Sequence, residues 1–115
     1  MEDCLFCKIA NKELPSTIVY EDDMVIAFKD INPVAPVHIL VIPKEHIKNM
    51  NEITEENKDV FARIFMVIAK LAKEFGIAED GYRVISNCGH NGGQVVDHQH
   101  FHLIGGVVLG PKLVK

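Results

Sequence analysis

Residues 90–106 read HNGGQVVDHQHFHLIGG, and this stretch decides the fold. A strand is expected over 99–104, where His100, Phe101, His102 and Leu103 alternate polar and apolar as along a half-buried strand. His98, His100 and His102 then share one face, while Gln99, Phe101 and Leu103 face the other way. Phe101 and Leu103 are suited to a core. Gly105-Gly106 closes the strand, and Gly92-Gly93 opens a turn ahead of it.

Outward from this strand, residues 54–75 carry the one long helical pattern. Val60, Phe61, Ile64, Phe65, Ile68, Leu71, Ala72 and Phe75 recur at three- and four-residue spacing. Thr54 suits an N-cap, Glu55 and Glu56 the positive end of the dipole, Lys70 and Lys73 the negative end, and Gly76 the left-handed residue beyond it. Further strands are expected at 17–20, 24–29, 37–42 and 82–86, with a short helix around Phe6–Lys12. Three strands precede the long helix and two follow it. That order predicts an α+β domain, a five-stranded antiparallel sheet with the helix on one face.

The chain has 115 residues, 48% hydrophobic and 24% charged, which fits one globular domain over 1–115. Its formal net charge of −4 argues against a nucleic-acid duplex as partner. No apolar run reaches the roughly 20 residues of a membrane span. The opening MEDCLFCK lacks the character of a secretory signal, so a cytoplasmic location is expected. Three cysteines in a reducing compartment do not suggest a disulfide framework, and Cys88 reads as a buried thiol.

Distance divides the histidines. Neighbours along a strand at i and i+2 lie about 6.6 Å apart and the outer pair about 13 Å, whereas metal–nitrogen bonds are near 2 Å. All three cannot serve one ion. A neutral imidazole beside a glycine turn is suited to attack on phosphorus, provided that its other nitrogen is held by an acceptor. The turn's N–H groups can form an anion cradle. Cys4-x-x-Cys7 supplies at most two ligands to a tetrahedral metal.

HQHFHLI matches a His-φ-His-φ-His-φ-φ pattern, with Gln99 in the first φ place. With CLFCKIANKELPSTIVYEDDMVIAFKDINPVAPVHILVIPKEHI and NCGHNGGQVVDHQHFHLIGG, the chain resembles the histidine-triad (HIT) nucleotide hydrolases and transferases, their Hint branch in particular, over nearly its whole length. The resemblance implies that His100 is the nucleophile toward an α-phosphorus, forming a nucleotidyl-histidine that water resolves. It implies that His102 contacts phosphate oxygens, that His38 supports the triad, and that Asn87 lies near the phosphate and leaving group. Gly93 and the backbone of Gln94 and Val95 would cradle the phosphate. Asp30 would accept from the ribose hydroxyls, and Leu5, Phe6, Ile9, Phe28 and Ile31 would hold a purine. Cys4, Cys7, His46 and His98 would bind a structural zinc.

The same resemblance implies a homodimer and a small purine nucleotide (AMP- or GMP-type) as ligand, with phosphoramidates or acyl-nucleotides as substrates. Alternatives are a binding or scaffold protein with weak catalysis, a dinucleoside polyphosphate hydrolase, or an enzyme with catalytic zinc on the His-x-His pair. Two departures bear on specificity. Val95 stands where this branch usually has Ser or Thr, and the chain ends GPKLVK in place of Trp-Pro-Pro-Gly.

Overall fold

The computed structural model describes residues 3–111 and 113. Met1, Glu2, Lys112, Val114 and Lys115, on which the N-terminal and tail readings partly rest, lie outside the described residues. Helix α1 (Leu5–Ala10) is followed by strands β1 (Ile18–Glu21), β2 (Val25–Lys29) and β3 (Val37–Pro43). Helix α2 (Lys58–Glu74), β4 (Tyr82–Ile85) and β5 (Phe101–Gly105) complete the fold. The five strands form one antiparallel sheet in the order β1-β2-β3-β5-β4. This is the α+β architecture expected.

Strand alternation sorts the sheet into two faces. Val25, Ala27, Ile39, Val41, Phe101 and Leu103 meet α2 through Val60, Phe61, Ile64, Val67, Ile68, Leu71 and Ala72. Ile26, Phe28, Leu40 and Ile42 point the other way and meet Phe6, Cys7 and Ile9 of α1. His38 and His102 belong to this second face. Leu40 pairs with His102 and His38 with Ile104, so the two histidines are diagonal neighbours across β3 and β5. Imidazoles can meet over that diagonal.

Two local readings are corrected. Helix α2 begins at Lys58, because Thr54 builds the preceding turn instead of capping the helix. Thr54 N–H donates to Asn57 Oδ1 (2.8 Å) while Asn57 N–H donates to Thr54 Oγ1 (3.3 Å). His98 and His100 precede β5, which starts only at Phe101. At its other end α2 stops as expected. Gly76, at φ +73°, lets its own N–H reach Lys73 C=O and the Ile77 N–H reach Ala72 C=O, a Schellman closure.

Asp22 fastens α2 to the β1–β2 hairpin. Its Oδ1 accepts from the N–H groups of Met24 and Val25, and its Oδ2 from Tyr20 Oη (2.7 Å) and Arg63 Nε (2.7 Å).

Candidate active site and metal centre

The partners of each triad ring fix where its proton sits. His98 donates from Nε2 to the Pro43 carbonyl (2.8 Å), which leaves the Nδ1 lone pair facing Cys4 Sγ at 3.3 Å and Cys7 Sγ at 3.5 Å. His100 donates from Nδ1 to the His98 carbonyl (2.7 Å), so its lone pair is on Nε2. His38 accepts the Val34 N–H at Nδ1 (3.2 Å) and therefore carries its proton on Nε2, 2.9 Å from His102 Nδ1. His102 accepts that proton's bond at Nδ1, and its own proton is on Nε2. The run thus holds a ligand-ready Nδ1, a bare Nε2 and an Nε2–H donor in sequence.

Burial pushes His98, His100 and His102 toward the neutral form. It is the largest influence on His102 and, helped by the neighbouring His100 and His38, holds its pKa down to about 4 against the pull of Asp30. Burial likewise takes His98 down to about 4, opposed by the Pro43 carbonyl and aided by His46 and His100. His100 is lowered by burial, in part offset by its bond to the His98 carbonyl and by Asp30.

Two ligand-like groups fall on the two sides of His100. Cys4, Cys7, His46 and His98 present ligand atoms all within 4.8 Å of one another, with His46 Nδ1 3.2 Å from Cys7 Sγ. Their donor set is that of a closed tetrahedral zinc site, and the His98 tautomer already turns its lone pair toward the sulfurs. Asp30, His38 and His102 form the second group. A cation on His38 Nε2 would require the proton on Nδ1, where the Val34 N–H already donates. That cluster is a hydrogen-bond relay, with Asp30 Oδ2 3.4 Å from His38 Nε2.

Phe6 is the wedge between these parts. Its ring meets His100 (5.0 Å between centroids), Phe28 (5.6 Å) and His98 (6.0 Å) edge-on. Of the five residues assigned to a purine slot, Phe6, Ile9 and Phe28 are buried together, whereas Leu5 is 47% exposed and Ile31 88% exposed.

The glycine turn is closed upon itself. Gly93 N–H donates to His90 C=O and Gln94 N–H to Gly89 C=O, so these are not the free donors expected from sequence. The Gln94 side chain accepts the Gly89 N–H and donates to the Lys48 and Val96 carbonyls. Asn87 Nδ2 donates to Gly92 C=O (2.6 Å). The Val95 N–H lies outside these bonds, and its side chain is 92% exposed. Cys88 is half-buried, more open than expected. Val34, Pro43 and Lys48 escaped the sequence reading because they act through backbone groups, which leave no side-chain signal.

A HIT domain model matches residues 11–108, and the chain belongs to the HIT family. The purine nucleoside phosphoramidase of Escherichia coli K12 is 51% identical over 112 residues, covering 97% of this chain and 94% of the relative. Among solved structures, a HIT family hydrolase from Clostridium thermocellum superposes with a TM-score of 0.96 at 58% identity, covering 99% of both chains. A histidine triad protein from Clostridium difficile gives 0.94 at 53% identity, covering 97% of both.

Proposed function

We propose that this chain hydrolyses purine nucleoside phosphoramidates or acyl-nucleotides through a covalent nucleotidyl-histidine. The observation that carries this reading is the bare Nε2 of His100, held by the Nδ1 bond to the His98 carbonyl, beside the His102 donor. His100 Nε2 attacks the α-phosphorus, and the bond to the leaving nitrogen or oxygen breaks with its electron pair; that group takes up a proton. Water then attacks the same phosphorus, the P–N bond to His100 breaks, and the water's proton is released. His102 Nε2–H stabilises the charge that develops on phosphate oxygen in both steps. On this reading Asn87 and the Val95 N–H serve the phosphate and leaving group, Asp30 offers its carboxylate to the ribose, and Phe6, Ile9 and Phe28 floor the base slot. The purine preference is supported by the relative in Escherichia coli.

The deciding experiment is rapid quench with intact-mass detection on an adenosine phosphoramidate, in wild type and in His100→Asn. A nucleotidyl adduct is expected in the wild type alone, with turnover abolished and nucleotide affinity retained in the variant. Full turnover by His100→Asn would overturn the reading. Weak catalysis in a binding protein is a second reading, favoured by the missing hydroxyl at Val95; it is distinguished by an adduct too slow to support turnover.

Zinc on Cys4, Cys7, His46 and His98 is part of the proposal, in a structural role that ties α1 to the triad. Burial and the neighbouring Cys4 thiol push Cys7 up to about 11. A bound dication displaces such protons, and two thiolates balance its charge. Assembly as a homodimer fits the position of β4 at the end of the sheet, where Tyr82 and Val84 are exposed. No helix among the described residues is long and apolar enough to cross a membrane.

A further inference from the structure

Gln99 occupies a position that strand alternation reserves for an apolar residue, and it is completely buried at 0% exposure. Its Oε1 has no partner among the described residues, while its Nε2 donates to Ser86 Oγ at 2.5 Å. A buried amide left half-satisfied is costly, so an ordinary core position would favour Leu or Ile here.

The location explains the choice. The β4–β5 ladder ends at the pair Ile85–His102. Continuing that register would set Ser86 opposite Phe101 and Asn87 opposite His100, but no ladder pairing extends to them. The Gln99–Ser86 bond is the link that follows. It joins the residue before His100 to the residue before Asn87, just where backbone pairing stops. Asn87 in turn holds the glycine turn through Gly92 C=O.

We propose that Gln99 is a positioning residue, which sets Asn87 and the glycine turn at a fixed distance from His100. It acts through Ser86 and touches no reacting atom. The catalytic consequence rests on the phosphoramidate reading above; the ordering of the 86–93 segment does not.

The test compares Gln99→Leu, Ser86→Ala, the double variant and Ser86→Thr, by steady-state kinetics on an adenosine phosphoramidate and by amide hydrogen exchange. Gln99→Leu keeps the core apolar and should fold with undiminished melting temperature. Each of Gln99→Leu and Ser86→Ala should lower kcat about tenfold with little change in KM, since a misplaced group costs rate more than binding. The double variant should cost no more than either, and Ser86→Thr should retain activity. Exchange in 86–93 should quicken while α2 stays protected. Unchanged exchange in that segment in both single variants overturns the proposal, as does exchange that quickens equally throughout. If wild type itself fails to turn over, the phosphoramidate reading fails, and the exchange results still decide whether Gln99 holds the segment.

Discussion

His38 Nε2 lies 2.9 Å from His102 Nδ1, and the Val34 N–H on the far side of His38 fixes which of the two rings donates. A backbone amide on the β2–β3 loop thereby decides which nitrogen of a triad histidine faces outward with a proton. His38→Ala removes this control and leaves His102 free to exchange tautomers. Losing one hydrogen bond worth about 1.5 kcal/mol corresponds to roughly a tenfold fall in kcat. Nitrogen NMR of His102 should show Nε2–H in the wild type and a mixture in the variant. A single unchanged tautomer in His38→Ala would contradict the relay.

Asp22 gives a pH dependence with a definite sign. Burial alone would raise its carboxyl, but bonds from Tyr20, Arg63 and the Met24 and Val25 N–H groups outweigh it and hold it well below the usual carboxylate range. A depressed folded pKa contributes stability above the unfolded value near 3.9, and that contribution is lost as pH falls through the folded value. Asp22→Asn should cost about 1.5–3 kcal/mol at pH 7, where bonds to a charged acceptor are broken. Denaturant titrations should find the gap between wild type and variant closing in strong acid. A gap of constant size down to the lowest accessible pH would refute the assignment.

Much of this was legible in the chain. The α2 stripe placed the helix, since apolar spacing along a helix records which side faces the core; β2 and β3 are apolar on both faces, one packed on α2 and the other on α1. The start of α2 was misread because Thr54 and Asn57 satisfy each other, an exchange that looks like a cap in sequence. Distance argued only that the three histidines do not serve one metal; which of them meets the cysteines came from the family resemblance. Their tautomers were not legible, because they depend on the Pro43 and His98 carbonyls and the Val34 amide, and every residue carries such groups. The cradle donors at Gly93 and Gln94 were misjudged for the same reason: glycine signals a turn without saying where its N–H groups go.

The cysteine–histidine centre predicts one zinc per chain by elemental analysis. Cys7→Ser should lose it, and a strong chelator should lower Tm in the wild type but not in that variant. Ligand binding to the folded state alone contributes about 2.7 kcal/mol at a hundredfold excess over Kd, enough for a shift of several degrees in a domain of this size. A Tm indifferent to both zinc and chelator would remove zinc from the account.

The β4 edge predicts a dimer that one charge can break. Val84→Arg should shift sedimentation to the monomer, because an arginine on an exposed edge strand opposes pairing with another edge. Exposed Val84 is outside the main core cluster, so the monomer should remain folded by circular dichroism. A wild type that sediments as a monomer at assay concentration would dispose of the dimer.

Gly92 offers a test of the turn that substitutes none of the proposed functional side chains. A Cβ at this position would lie 2.5 Å from Cys88 O and 3.0 Å from Cys88 N, both backbone atoms with no freedom to swing aside. In Gly92→Ala the turn must move, carrying with it the Gly92 carbonyl that holds Asn87. Displacement of about 1 Å near the reacting centre can cost on the order of a hundredfold in rate. The turn is exposed and outside both core clusters, so Tm should fall little. Turnover and melting are therefore expected to separate: a large loss in kcat with nearly native stability. Equal losses in both would mean that the turn supports the fold rather than the site, and full activity would mean that its position is immaterial to catalysis.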